Sequence, residues 1–176
     1  MGEENIRFRA ATEADMPQIM RVVHQAQAFI ATLGIDQWQD GYPTREILAR
    51  DIRIGQLYVI AEGEDVRGVA ALQMEREPIY DGIEGAWPCG LDAKCLTIHR
   101  LATDDAARGR GVAARMIDEA VRLAKGNGCA CVRADTHTGN VVMRRFLEKH
   151  GFVYCGKVYY PDRGGTLLRV AYEKEL

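Results

Sequence analysis

The hexapeptide Arg108-Gly109-Arg110-Gly111-Val112-Ala113 stands between an apolar, strand-like run and an amphipathic, helix-like one. Glycines let a backbone turn tightly and come close to a ligand. N–H groups freed at the start of the following helix then point at an anion, aided by the helix dipole. Arg108 and Arg110 add positive charge. A phosphate or pyrophosphate is the occupant such a turn calls for. A Walker loop needs G-x-x-x-x-G-K-[ST], which occurs nowhere in the chain. Gly109-Arg110-Gly111-Val112-Ala113-Ala114 does spell G-x-G-x-x-A, and Asp135 follows near the ribose-binding distance. A dinucleotide-binding oxidoreductase is therefore a rival. Against it, Asp104 to Arg108 separate the strand from the first glycine, and an antiparallel hairpin precedes where parallel units are needed. Read by itself, the hexapeptide is also compatible with a turn that binds nothing.

The elements that must hold this turn are read from periodicity and punctuation. Ile6-Arg7-Phe8-Arg9 alternates as a short strand. Thr12-Glu13-Ala14-Asp15 resembles a capping box, with Asp15 as N-cap and Pro17 in the first turn. Ile19, Val22, Val23, Ala26, Phe29 and Ile30 follow at helical spacing, ended by Gly34, and Thr44 caps a second helix carrying Ile47, Leu48 and Ile52. Leu57–Ala61 and Val66–Met74 form a hairpin around Gly63-Glu64-Asp65, and residues 77–93 read as a loop. Cys95–Thr103 is a strand, Gly111–Lys125 a helix closed by Gly126-Asn127-Gly128, Cys129–Ala134 a strand and Val141–Lys149 a helix. Phe152–Tyr159 and Leu167–Tyr172 are the last two strands. The expected fold class is α/β (α+β mixed), a mixed sheet covered by about four helices.

Bulk properties narrow the function classes. At 176 residues the chain suits one domain, 1–176, with a core that needs no staples. Lys plus Arg is 23 against 25 Asp plus Glu, so no basic excess argues for a nucleic-acid face. No apolar run reaches membrane-spanning length, and the polar start Met1–Asn5 lacks a signal-peptide core, so a cytoplasmic protein is the default. Cys89, Cys95, Cys129, Cys131 and Cys155 are odd in number and contain no CxxC pair. They are read as reduced, packed thiols. No His/Cys/Asp cluster has metal spacing, so no metal is expected.

The residues around the turn carry a family resemblance. Arg108-Gly109-Arg110-Gly111-Val112-Ala113 matches the [QR]-x-x-G-x-[GA] motif of the GNAT superfamily of N-acetyltransferases in full. Leu101-Ala102-Thr103 ahead of it looks like the end of that superfamily's fourth strand, and Asn140 to Gly151-Phe152 resembles its N-x(10)-G-F ending. Arg9–Asp15 is similar to the usual GNAT start. Gln37–Pro43, Ile98-His99-Arg100 and Asp135-Thr136-His137 look like a bacterial subgroup of unassigned substrate. The resemblance implies a sheet splayed between its fourth and fifth strands, with acetyl-CoA as co-substrate in the gap. By position, N–H groups of Leu101 and Thr103, flanking Ala102, would hold the pantetheine and thioester. Those from Arg108 through Gly109, Arg110, Gly111 and Val112 to Ala113 would cradle the pyrophosphate. Asn140 would bond the pantetheine arm, with Phe146 packed near it.

Acetyl transfer to an amine needs a base, an oxyanion donor and an acid for the leaving thiolate. His99 is the candidate base: it precedes Leu101 by two residues, hence shares its face, and imidazole titrates near neutrality. Its position also resembles that of a histidine in arylalkylamine N-acetyltransferases. The tyrosine that many GNAT enzymes carry seven residues after the asparagine is Leu147 here. Tyr154, Tyr159 or Tyr160, with Tyr154 first, or else water, are the substitutes. Trp38, Tyr42, Tyr80 and Trp87, with Asp135 and neighbouring acids, suit a cationic acceptor. The acceptor is expected to be a small amine, an amino acid or a protein N-terminus. Partners are otherwise none: no nucleic acid, no membrane, and open sheet edges that leave room for a homodimer. The missing tyrosine keeps a second class alive, a non-catalytic acyl-CoA-binding regulatory module.

Overall fold

The structure, a computed structural model, describes residues 6–162 and 165–176. Met1–Asn5, on which the expectation of no signal peptide rests, lie outside the described residues. Contacts divide the chain into two compact units, residues 1–72 with 99–119 and residues 73–98 with 120–176.

In the first unit, β1 (Ile6–Ala10) pairs antiparallel with β2 (Leu57–Glu62), and β2 with β3 (Asp65–Gln73) around a turn at Gly63. Helix α1 (Met16–Thr32) buries Met16, Ile19, Val22 and Val23, the face its spacing predicts, against Leu57, Val59, Val69 and Ala71. Helix α2 (Arg45–Arg53) adds Leu48, and the Thr44 hydroxyl caps it by accepting the Ile47 N–H. The expected capping box is present, with Asp15 accepting the Thr12 N–H at 2.8 Å. Asp15 also takes both terminal nitrogens of Arg9, at 2.7 and 2.8 Å.

The Arg9 pair, with the Thr12 bonds, holds the Asp15 carboxyl down from 3.8 to about 2. A depressed folded-state value means stabilisation that is full above the unfolded pKa and is lost as pH falls through the folded one. Asp15→Asn is expected to lose about 1–2 kcal/mol near neutral pH, given that Arg9 is partly exposed and screened. The gap from wild type should close between about pH 4 and 2 in chemical-denaturation curves.

In the second unit, the first half of β5 (Cys95–Thr103) runs parallel to β6 (Cys131–His137) from Cys95↔Cys131 to Ile98↔Ala134. The parallel ladder ends there, although β6 continues to His137, paired on its other side with β8 (Gly165–Glu175). β8 pairs antiparallel with β7 (Val153–Asp162). Between 77 and 93, where a loop was expected, a 3₁₀ turn (Pro78–Gly82) precedes the two-residue strand β4 (Glu84–Gly85), which pairs with β7. The long strands expected as fourth and fifth are thus β5 and β6. The remaining helices are α3 (Val112–Gly126) and α4 (Val141–Lys149). Four helices and a mostly antiparallel set of strands make the mixed α/β fold expected. Among the described residues no helix is long and apolar enough to cross a membrane.

The cysteine reading needs correction. Cys95 and Cys131 form a disulfide, and Cys89, Cys129 and Cys155 are free. The parallel register sets the two directly opposite, with Cα atoms 4.9 Å apart, a juxtaposition that a sequence separation of 36 conceals. Burial pushes the Cys155 thiol up to about 11, so it behaves as the packed, inert thiol expected. Cys89, Cys131 and a Glu173 oxygen converge within 4.8 Å. That set does not suit a metal: Cys131 is disulfide-bonded, while the Glu173 oxygens accept the Cys89 N–H and the Arg133 Nε–H.

Candidate active site

The glycine-rich turn is built from its anchorage upward. At the end of β5, the Asp104 N–H donates to the Arg67 carbonyl at 2.8 Å. Its Oδ2 accepts from Arg67 at 2.9 Å and Arg21 at 3.2 Å, and its Oδ1 accepts the Ala106 N–H. These bonds hold the carboxyl below its ordinary range against the opposing effect of burial. A 3₁₀ turn (Asp105–Ala107) follows, and Gly109 and Gly111 take φ of 76° and 77°, where a side chain is strained. The turn's own bonds use the N–H groups of Ala107, Arg108, Arg110 and Arg115. Those of Gly109, Gly111, Val112, Ala113 and Ala114 have no acceptor among the described residues. Val112, the first residue of α3, seats against Gly68 of β3, where an added Cβ would stand 2.7 Å from Val112 Cγ1.

The two arginines do not play the part expected of them. Arg110 pairs with Glu62 at 2.6 Å, and Arg108 pairs with Asp105 while its guanidinium lies 5.0 Å over the Phe29 ring. Their charge is already matched, so the donors the turn leaves open are main-chain ones. Exposed main-chain donors at a helix start fit a pyrophosphate without side-chain help.

Elsewhere in the first unit, Trp38 packs against the α1 core and meets Tyr42 edge-on, with ring centroids 6.2 Å apart. Two further residues complete this cluster. Arg100 donates to the Tyr42 hydroxyl at 2.6 Å and to Asp51 at 2.8 Å. A cation inside the apolar run Leu96–Ala102 was the signal that could have found it, since an enclosed guanidinium needs partners. Arg100 has φ of 56°, and a residue in that region interrupts strand alternation. The argument that His99 and Leu101 share a face therefore fails. His99, Leu101 and Thr103 are half-buried and Ala102 is buried.

In the second unit, Asn140 is buried and caps α4, its Oδ1 accepting the Met143 N–H at 3.1 Å. Phe146 is half-buried, its ring centroid 4.3 Å from that of His150. Leu147 is buried. Of the acceptor residues, Tyr80, Trp87 and Asp135 are brought together. The Tyr80 hydroxyl donates to Asp135 Oδ2 at 2.7 Å, and the Trp87 indole N–H donates to the Tyr80 carbonyl at 3.1 Å. Trp87 is buried, with the Arg133 guanidinium 4.2 Å from its ring, so it supports Tyr80 and does not face a ligand.

The tyrosines of β7 separate. A bulge between Tyr154 and Gly156 turns the strand's faces over. Tyr154 is exposed and meets the Tyr172 ring, Tyr159 donates to Glu84, and Tyr160 donates to Asp135 Oδ2 at 2.8 Å.

The sequence model described as acetyltransferase (GNAT) family matches residues 22–152. No curated protein matches the chain. Among solved structures, a GNAT-family acetyltransferase from Streptococcus agalactiae is 38% identical, with 98% of this chain and 96% of that chain covered and a TM-score of 0.85. PaiA N-acetyltransferase from Thermoplasma acidophilum, solved in complex with coenzyme A, is 17% identical over 97% of this chain and 99% of that one, with a TM-score of 0.68. YncA from Salmonella typhimurium, solved with its cofactor acetyl-CoA, is 18% identical over 98% and 95%, with a TM-score of 0.67. At such identity the last two share the fold alone.

Proposed function

Because the chain belongs to the GNAT acetyltransferase family, we propose that it moves an acetyl group from acetyl-CoA directly onto a primary amine of a small molecule, an amino acid or a protein N-terminus. The observation that carries this reading is the set of N–H groups of Gly109, Gly111, Val112, Ala113 and Ala114, which lack acceptors among the described residues at the start of α3. When bound, acetyl-CoA supplies a thioester whose acyl carbon the amine attacks, forming the C–N bond as the C–S bond breaks and the thiol leaves.

The chain's residues would then act as follows. N–H groups of Gly109 and Gly111–Ala113 hold the pyrophosphate, with Arg108 and Arg110 framing the turn. Those of Leu101 and Thr103, either side of Ala102, hold the pantetheine arm and oppose charge on the carbonyl oxygen. Asn140 and Phe146 border the same arm. His99 accepts the amine proton. Trp38, Tyr42, Tyr80 and Asp135 serve the acceptor, with Trp87 supporting Tyr80. The family assignment removes the oxidoreductase alternative.

His99→Ala is expected to lower kcat/KM for the amine by about 10²-fold near neutral pH. The deficit should shrink toward about pH 9, as the amine loses its proton unaided. An unchanged kcat/KM over that range means His99 is not the base.

The whole reading is tested by a thermal melt with CoA, acetyl-CoA and NAD(P), followed by a free-thiol assay over an amine panel. Stabilisation by CoA and acetyl-CoA with thiol release is the expected result. Indifference to CoA would overturn it. The buried Leu147, in place of a tyrosine, favours one other reading, acyl-CoA binding without turnover; stabilisation with no thiol release from any amine would select it.

A further inference from the structure

Asp135 differs from the other enclosed carboxylates in meeting no arginine; Asp51, which also bonds through Oδ2 alone, has Arg100 on that oxygen. Glu173, Asp15 and Asp104 each use both oxygens, and each meets arginine: Arg133, Arg9, and Arg67 with Arg21. Asp135 does neither. Both its hydrogen bonds, from the Tyr80 and Tyr160 hydroxyls, fall on Oδ2. Its Oδ1 has no partner, and no cation pairs with it, among the described residues.

A carboxylate served only by neutral donors keeps its charge unmatched, and an oxygen that accepts no hydrogen bond is available to a cationic donor. The two phenols meanwhile fix the carboxylate, so the direction of Oδ1 is set in advance. Tyr80 is a lasting donor: burial, together with the Asp135 charge, pushes its hydroxyl well above the ordinary range. Its ring is held 4.9 Å from that of Trp87, which Arg133 covers.

The surroundings of Tyr80 also favour a cation. It lines a cavity of about 220 Å³. Glu75, Glu77, Asp81 and Asp92 line that cavity too, with Arg76, Lys94 and Arg133; Arg76 pairs with Asp81 and Asp92, and Arg133 with Glu173. An excess of one sign in a recess concentrates ligands of the other. The volume lies below the usual range for a ligand site, so it would take only a small amine or the tip of a larger one, and Tyr80 rather than Asp135 itself lines it.

We propose that Asp135 binds the acceptor, its open Oδ1 receiving the ammonium of a cationic primary amine, with Tyr80 and Tyr160 as positioning residues. The proposal rests on the amine-acetylation reading above and deepens it by naming the acceptor's charge and the group that meets it.

The test is calorimetric titration of CoA-saturated protein with n-butylamine, phenethylamine and 1,4-diaminobutane, and with n-butanol as a neutral match. Wild type is expected to bind at least one of these amines. Asp135→Asn, which keeps an oxygen for the two phenols, should bind it at least about 10-fold more weakly. Tyr160→Phe should fall between them, and Asp135→Glu should recover part of the loss. Affinity for n-butanol and for CoA should differ by less than about twofold among all four proteins. Equal amine affinity in wild type and Asp135→Asn, or no amine bound by wild type, overturns the proposal.

Thiol release measured on the same proteins separates the two claims. Release from wild type that Asp135→Asn leaves unchanged, in both kcat and KM for the amine, sinks this inference alone. Asp135-dependent amine binding without release sinks the acetyl-transfer reading and leaves the amine site standing.

Discussion

Replacing Gly109 and Gly111 together by valine is expected to raise the KM for acetyl-CoA by about 10²-fold while lowering stability only by about 1–3 kcal/mol. Both glycines sit at positive φ, and an added Cβ at either would meet no atom within 4 Å. The penalty is therefore backbone strain and not collision, and an exposed turn can relieve it by rotating its peptides. Rotation redirects the N–H groups, so the loss falls on the anion and not on the core. Gly55→Val is the control: its φ is 72° with equally open space, but it lies outside the turn, between α2 and β2. It should cost similar stability and leave the KM for acetyl-CoA where it was. Steady-state kinetics beside denaturant curves decide the matter. A doubly substituted enzyme with wild-type KM would show that these amides do not bind the co-substrate.

Gly156→Ala is expected to be the most destabilising single change, above about 3 kcal/mol, which for a chain of this length is about 6 °C or more in Tm. A Cβ there would collide with the Glu84 carbonyl oxygen and stand 2.8 Å from the Gly85 Cα, and φ is 149°. The reciprocal Gly85→Ala would strike the Cys155 carbonyl oxygen. Backbone cannot give way as a flexible side chain can, so β4 must leave β7. The segment bearing Trp87 goes with it, and with Trp87 the support for Tyr80. Near-UV dichroism of Trp87 and the melt should fall together. A melt within about 2 °C of wild type would mean that β4 is not held as described.

What the sequence disclosed follows from how far each interaction reaches along the chain. The α1 face of Ile19, Val22 and Val23, the cap at Thr44 and the Thr12–Asp15 box are local and stand where spacing put them, whereas Asp15 makes no capping bond to α1. The glycine turn was legible for the same reason, its chemistry lying within one hexapeptide. Pairing of Arg110 was not, because Glu62 lies 48 residues from it and nothing in the motif announces it. The disulfide needed the register of a parallel ladder. The choice among Tyr154, Tyr159 and Tyr160 needed the bulge at Cys155, since simple alternation puts Tyr154 and Tyr160 on one face and the structure puts them on two. Asp135 was singled out by its position, but its companions come from 55 residues before it and 25 after. Long-range pairs of this kind leave no periodic trace.

The anchorage of the glycine turn bears on whether the turn can be transplanted. The hexapeptide carries the two flexible positions, but its footing belongs to residues far away in the chain: Asp104 is tied to Arg67 and Arg21, and Gly68 makes room for Val112. A graft of six residues into a foreign strand–helix junction would bring the donors without the frame that aims them. The smallest portable version is a discontinuous set comprising the hexapeptide, Asp104, its two arginines and a side-chain-free position on the adjoining strand.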